Sequence, residues 1–346
     1  MAVTVSPREA IAHPPAANAR IADKLAWAVN FAVLAPSKHN TQPWYFEVER
    51  DGVDMHADGA RALVTSDPTG REMLIGCGAA LANLRLGIRA LGFEPVVRLF
   101  PQGEGLSYLA RVSFGEPRAV TADEQRLVDA VPRRHTQRLP LNGALVDREL
   151  LVELQDAAMR AGGKLYFVET PGALSGVSRL VAMADRTEHW DPARQEELRQ
   201  WVRTEAEPAS DGIPAGNVGL GAAAAQRPFP IRNFDVRGAA RPRPDAVEDD
   251  PVVALLWTAR DDAVGWLGAG QAAQMVLLRA CVSDVQASFL NQPIEDAALR
   301  PLLAEELGIR GFPQMLLRLG WGAGAPATPR RPAEDVTEIH LDSASQ

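Results

Sequence analysis

Apolar side chains at positions 21, 25, 29, 31 and 32 recur with roughly helical spacing, which predicts a helix over residues 21–34 that must stop near Pro36. Residues 44–55 alternate and turn at Asp51-Gly52, the signature of a strand hairpin. Residues 69–92 place Leu74, Cys77, Leu81, Leu84, Ile88 and Leu91 on one stripe, with Gly92 as a C-cap, and so predict a core helix. Two short strands, 95–100 and 107–114, complete a first α+β unit. Helical patterns follow at 122–131 and 147–161, then a strand at 164–169 and two more helical segments ending near Met183 and Val202. From 205 to 251 the periodicity collapses into Gly, Pro and Ala, a length of loop that is usually either functional or disordered. Order resumes with an apolar run at 252–258, a long helix at 266–287, a helix at 297–307 and a strand at 314–321.

The two long helices align when offset by 192 residues, pairing Gly76 with Gly268, Gly78 with Gly270, Ala80 with Ala272 and Leu86 with Leu278. Each is followed by a similar strand, Leu-Ala-Arg-Val-Ser-Phe-Gly at 109–115 and Leu-Leu-Arg-Leu-Gly-Trp-Gly at 316–322. Two such matches in the same order favour an internal duplication. Length agrees, since 346 residues at about 100–200 per domain predict two domains.

Composition narrows the function classes. An ordinary apolar and charged content excludes disordered, collagenous and coiled-coil chains. A net charge of −8 supplies no global cationic field for nucleic acid or anionic lipid, so an anion site has to be local. Cys77 and Cys281 lie in apolar stretches without C-x-x-C spacing, which fits a reducing compartment. The N-terminal residues lack a cationic segment followed by a long apolar run, and no stretch reaches about 18 apolar residues. The expectation is a cytoplasmic protein that engages neither membrane nor nucleic acid.

Two strings could carry chemistry. Ala-Pro-Ser-Lys-His-Asn-Thr-Gln-Pro-Trp, residues 35–44, lies between a helix end and a strand start. It reads either as a connecting turn or as a loop in which Ser37, Lys38 and Asn40 present donors to a planar heterocycle. Arg-Arg-His-Thr-Gln-Arg, residues 133–138, reads either as a solvated charge run or, stiffened by Pro132 and Pro140, as arginines converging on an anion, a task suited to their bidentate fork. Arg330-Arg331-Pro332 is a second string of that kind. Other signatures fail. Gly76-Cys77-Gly78 has leucine at the third glycine position of a dinucleotide fingerprint and no preceding strand, and residues 216–221 lack the Lys-Ser or Lys-Thr ending of a P-loop. Neither H-E-x-x-H nor G-x-S-x-G occurs, and the six histidines show no metal-ligand spacing.

Residues 36–44 resemble the P-S-x-x-N-x-Q-P-W motif of the FMN-dependent nitroreductases, and Arg134-His135-Thr136-Gln137-Arg138 resembles that family's flavin-binding R-x-[ST]-x-[RK] string. In ordinary members the arginine string comes first. The inverted order is similar to that of the tandem-domain, Acg-like branch, in which one chain resembles a whole nitroreductase dimer. The resemblance spans about residues 20–335. It implies an α+β fold of two tandem nitroreductase-like domains, 1–119 and 120–346, each a mixed sheet flanked by helices, forming a pseudo-dimer in one chain. It also implies one FMN per chain, because only one complete set of motifs is present, and NAD(P)H as a candidate electron donor.

Carried over by position, the resemblance implies that Arg134 and Thr136, within the string that also holds Arg133 and His135, take the phosphate and ribityl end. Arg330 or Arg331 would close on the phosphate. Arg138 would lie near N1 and O2 of the isoalloxazine, where positive charge stabilises the reduced ring. Pro36, Ser37, Lys38 and Asn40 would meet the ring edge from the other half. Phe289, Leu290, Asn291 and Gln292 would lie behind the ring, with Asn291-Gln292 standing where the family often has Glu-Gly. The stretch 205–251 would be a lid, with Phe229, Ile231 and Phe234 over the ring; a plain surface excursion is the alternative. The leading expectation is an FMN-dependent oxidoreductase acting through flavin N5, with no protein nucleophile, no metal and an unnamed small-molecule substrate. A protein that sequesters or stores FMN is the rival, and a flavin-free structural or signalling protein the third reading. A pseudo-dimeric single chain is expected, with higher association left open.

Overall fold

The structure is a computed structural model that describes residues 5–142, 144–204, 209–214, 217, 232, 234, 252–322 and 327–340. The first unit runs α1 (Pro7–Ile11), α2 (Ile21–Ala32), β1 (Trp44–Val48), β2 (Gly52–Ala57), α3 (Arg71–Ala90), β3 (Phe93–Leu99) and β4 (Tyr108–Pro117). The second runs α4 (Ala122–Ala130), β5 (Leu141–Asn142), α5 (Arg148–Arg160), β6 (Lys164–Phe167), α6 (Pro171–His189), α7 (Pro192–Trp201), β7 (Val252–Thr258), α8 (Ala263–Val282), β8 (Gln286–Phe289), α9 (Gln292–Glu295), α10 (Leu299–Glu306), β9 (Phe312–Gly322) and β10 (Thr337–Ile339).

The hairpin expected at Asp51-Gly52 pairs Phe46 with Met55 and Val48 with Val53. Its inward residues, Trp44, Phe46 and Val48, alternate with half-buried ones, as in a sheet with one covered face. The first sheet has the order β10-β1-β2-β4-β3. It is mixed, because β10 joins β1 in parallel while the remaining pairs are antiparallel. The end of the chain therefore returns to the first sheet, with Val336 buried in its core. In the second sheet, β5-β9-β7-β6, with β8 also on β9, every pairing among the described strands is antiparallel. Its strand β7 is buried on both faces: Ala254 and Leu256 pack with α5 and α8, and Val253 and Leu255 pack with α6 and α10. This explains why residues 252–258 read as a continuous apolar run.

Between the sheets α3 crosses α8 at two glycines. A Cβ on Gly78 would lie 2.2 Å from the Leu267 carbonyl oxygen, and one on Gly270 would lie 2.0 Å from that of Ile75, so only glycine lets the backbones meet. The contact is reciprocal: Leu267 packs in the first core and Ile75 in the second. Helix α3 is also long and apolar enough to cross a membrane, but it is buried in the molecule, as a core helix is.

One expected boundary is corrected. The helix placed at 266–287 begins earlier, where the Asp262 carboxylate accepts the Gly265 N–H at 2.9 Å. It ends at Val282, because Asp284 turns the chain with φ of 56° and residues 286–289 join β9 as a strand. A four-residue strand is too short to show its own period, so it had merged with the helical pattern.

A candidate cofactor site between the two units

The loop after α2 holds three non-glycine residues in the left-handed region, His39, Asn40 and Gln42, with φ of 50°, 57° and 52°. Such conformations persist where neighbours over-determine them. Here Ser37 Oγ accepts the Gln42 N–H at 2.8 Å, while the Asn40 and Gln42 side chains reach outward. Asn40 Nδ2 donates to Gly212 O at 3.0 Å and Pro329 O at 3.1 Å, and Asn40 Oδ1 accepts from Arg330 at 2.9 Å. Gln42 Nε2 donates to Ser210 O at 2.8 Å, and Gln42 Oε1 accepts the Arg331 N–H at 2.9 Å. These two amides bracket the C-terminal tail and residues 210–212 against the loop. Asn40 does not line the cavity described below, because its amide is committed to that bracket.

The arginine string leaves α4 through a turn, in which the Arg133 and Arg134 N–H groups donate to Ala130 O, and then runs beside β8: Thr136 bridges Ala287 in parallel and Gln137 N–H donates to Ala287 O at 2.9 Å. Extended backbone sends alternate side chains to opposite faces, which puts Thr136 and Arg138 on one side. Thr136 and Arg138 line a cavity of about 760 Å³, including the space open to solvent, between the two units. Pro36, Ser37, Lys38, Phe289, Asn291 and Phe234 line the same cavity. Arg133, Arg134 and His135 line an adjoining one. Arg133 itself points to solvent and pairs with Asp284, and Arg331 turns to the Asp335 carbonyl. Leu290 is packed in the second unit's core, and Gln292 donates to Asp185 at 3.2 Å. Phe229 and Ile231 lie outside the described residues.

Three guanidiniums stand out. Arg134, Arg138 and Arg330 are enclosed, form no carboxylate pair among the described residues, and leave Arg134 Nε, Arg138 Nη1 and Arg330 Nε without a partner. Arg134 does donate to Leu34 O at 3.2 Å. Burial pulls Arg134 and Arg138 down to about 10, and neighbouring arginines add to it. Arg330 is pushed well below the usual arginine range by burial and then by Arg134, Arg8 and Arg138. Enclosed like charges without counter-ions cost several kcal/mol unless an anion joins them. The arrangement is suited to an anionic group.

Across the cavity lies a second buried cluster that sequence reasoning missed. Lys38 Nζ sits 2.5 Å from Glu72 Oε2 and 3.0 Å from Glu295 Oε2, and donates to Ser66 O at 3.0 Å. Arg232 forks onto Glu295 at 2.7 and 2.9 Å and reaches Glu188 at 2.6 Å. Burial alone would lower the Lys38 ammonium, but Glu295 and Glu72 outweigh it and hold it raised. Burial would raise the Glu295 carboxyl, yet Arg232 and Lys38 hold it well below the usual range. His39 is kept neutral, first by burial and then by Arg232 and Lys38. Asn291 ties this cluster to the second sheet, accepting the Leu316 N–H at 2.9 Å and donating to Glu72 at 3.2 Å.

An α+β protein with an anion-ready, largely apolar cavity between its two sheets is the class that fold and site define. No protein-family model matches the chain. Individual proteins do, among them two from Mycobacterium tuberculosis. One carries the provisional name NAD(P)H nitroreductase and is 32% identical over 323 residues, 92% of each chain. The other, Acg, provisionally named in the same way, is 31% identical over 325 residues, 92% of this chain and 96% of its own. The chain belongs to the nitroreductase family, as an Acg-like member. Among solved structures, the FMN- and NADPH-dependent nitroreductase NfnB from Sphigopyxis sp. strain HMH overlaps 62% of this chain and 99% of its own, at 16% identity and a TM-score of 0.39. A nitroreductase with bound FMN from Desulfitobacterium hafniense overlaps 61% and 95%, at 11% and 0.37. Overlaps that weak add nothing to what the sequence relatives establish.

Proposed function

We propose that the chain is an FMN-binding oxidoreductase whose single flavin lies in the cavity between the two units. The observation that carries this reading is the group of enclosed, unpaired guanidiniums beside an apolar cavity, which fits a flat ring bearing a phosphomonoester. Arg134 and Arg330 hold the phosphate, and Thr136 meets the ribityl chain. Arg138 sits toward the pyrimidine edge, and Pro36, Ser37, Phe289 and Asn291 bound the ring. FMN, when bound, supplies hydride transfer at N5, with NAD(P)H as donor. The side chains of this chain orient the ring, exclude water and set the local field; none is required as a nucleophile. Lys38, fixed between Glu72 and Glu295, presents a neutralised wall rather than a free charge.

The reciprocal Gly78–Gly270 crossing, at positions related by the 192-residue offset, supports reading the chain as an internal pseudo-dimer with a boundary near residue 120. In that arrangement the loop from one half and the arginine string from the other complete one site. Flavin absorbance and stoichiometry test it: a yellow protein with one FMN per chain is expected, and neither half expressed alone should hold flavin.

A second reading, an FMN store, is favoured by one observation. Phe234 stands at the cavity between Arg138 and Arg232, whose guanidinium carbons lie 5.2 and 5.4 Å from its ring centre, and edge-on to His39 at 6.2 Å. A ring held there covers the place a nicotinamide or a nitroaromatic would occupy, as closed lids gate other sites. Anaerobic addition of NAD(P)H separates the two. Rapid bleaching of the flavin supports turnover; slow bleaching that Phe234→Ala accelerates supports a covered site.

A further inference from the structure

We propose that Arg8, on the short helix that precedes both sheets, is a third cation of the cradle formed by Arg134 and Arg330, and that it holds the phosphate of the flavin. The proposal rests on the flavin site argued above and adds to it a residue from outside both nitroreductase-like motifs.

Helix α1 is fixed in place. Ser6 and Glu9 form a reciprocal capping box, Ser6 Oγ accepting the Glu9 N–H at 3.3 Å and the Glu9 carboxylate accepting the Ser6 N–H at 3.1 Å. Trp27 Nε1 donates to Ala10 O at 3.0 Å, and Ile11 packs on the core cluster of Phe31 and Leu127. From this platform Arg8 Nε donates to Pro132 O at 3.2 Å, two residues before Arg134. Its Nη2 lies 3.5 Å from Thr328 O, the same oxygen that accepts from Arg330 Nη1 at 3.3 Å. Arg8 and Arg330 thus converge on one carbonyl.

These contacts orient the guanidinium without neutralising it. Both carbonyls are uncharged, the distances are at or beyond the long end of the hydrogen-bond range, and no carboxylate pairs with Arg8 among the described residues. Arg8 also adds to the repulsion felt by Arg134 and Arg330. An arginine serving only as a brace would gain by a carboxylate partner. Two arginines that share one carbonyl, with a third close enough to feel the charge of both, suit a group of about −1.5 to −2 charge, which a phosphomonoester carries.

The test is titration of the full chain with FMN and with riboflavin, which shares the ring and ribityl chain but lacks the phosphate. R8Q is expected to weaken FMN about tenfold and leave riboflavin unchanged, with R8K between R8Q and the parent chain. Unchanged FMN affinity, or FMN and riboflavin weakened by the same factor, overturns the assignment; the second result would make Arg8 a structural brace. Should R8Q fail to fold, the FMN-to-riboflavin preference of R8K decides by the same criterion. If the parent chain takes up neither flavin, the proposed function falls by itself. Arg8 is then judged on inorganic phosphate: a rise in melting temperature that R8Q loses sustains an anion site, and equal protection of R8Q overturns it.

Discussion

Two enclosed clusters of charge reach the same cavity, one through Arg138 and the other through Lys38, Glu72, Arg232 and Glu295, and they are built on opposite principles. In one, Arg134, Arg138 and Arg330 repel one another with no carboxylate partner among the described residues. In the other, three cations meet three carboxylates: Lys38 and Arg232 are interleaved with Glu72, Glu188 and Glu295 at 2.5–3.0 Å, and Arg71 lies 3.6 Å from Glu72. A cluster left unbalanced is unfinished until something binds, whereas a balanced one is complete and serves to fix geometry. Under the proposed function, the unbalanced cluster would meet a ligand's charge and the balanced one would position its ring.

The largest effect should come from unbalancing the balanced cluster. Glu295→Ala leaves Lys38 with Glu72 and Arg232 with Glu188 as their remaining partners and takes one negative charge out of the buried cluster, and breaking buried pairs in this way costs about 3–5 kcal/mol. Denaturant melts of the flavin-free protein should show a lower midpoint with an unchanged slope. A loss below about 1 kcal/mol would mean that water already solvates these charges and that the cluster locks nothing in place.

A smaller effect, of opposite sign in the flavin-free state, should follow from Arg134→Ala. It removes one of several repelling cations, so the flavin-free protein should be as stable as the parent or more so. FMN binding should weaken about tenfold or more, since a charge-assisted hydrogen bond is worth about 1.5–3 kcal/mol. Flavin titration and a melt of the same preparation check both halves. If Arg134→Ala destabilised the flavin-free chain as Glu295→Ala does, the two clusters would not differ in kind.

The unbalanced cluster was legible in the sequence and the balanced one was not, for a physical reason. Arg134, Thr136 and Arg138 stand together in one short string bracketed by prolines, so their nearness is written in the sequence, and Thr136 and Arg138, two apart on extended backbone, line the same cavity. Lys38 belongs to a recognisable loop. The carboxylates of its cluster, however, come from three separate helices: Glu72 from the first turn of α3, Glu188, which pairs with Arg232, from the end of α6, and Glu295 from α9. Each reads alone as an ordinary helix carboxylate, and only tertiary packing brings them together. The Asn40 amide illustrates the converse. Its place in a motif was plain, but its hydrogen bonds to Gly212, Pro329 and Arg330 depend on chain far away in sequence. The long helices were legible from their stripes, while β8 and β10, of four and three residues, fall below the length at which a period shows.

The smallest effect sharpens the word balanced. Asp67 caps the start of α3, accepting the Met73 N–H at 2.8 Å. Burial, and then the charge of Glu72, push its carboxyl from an ordinary 3.8 up to about 6. The folded chain therefore holds a proton between about pH 4 and pH 6 that the unfolded chain has released. With more protons bound in the folded state, stability falls as pH rises through that window and levels off above it. Ionised, Asp67 adds one carboxylate to a site that already has three, so the cluster is best balanced below about pH 6. Asp67→Asn retains an oxygen for the Met73 N–H but removes the titration. Melting temperatures from pH 4 to 7 should show little difference between this variant and the parent at the acid end and a growing advantage for the variant toward neutrality. Parallel curves would mean that Asp67 does not hold the proton and would leave it as a cap alone.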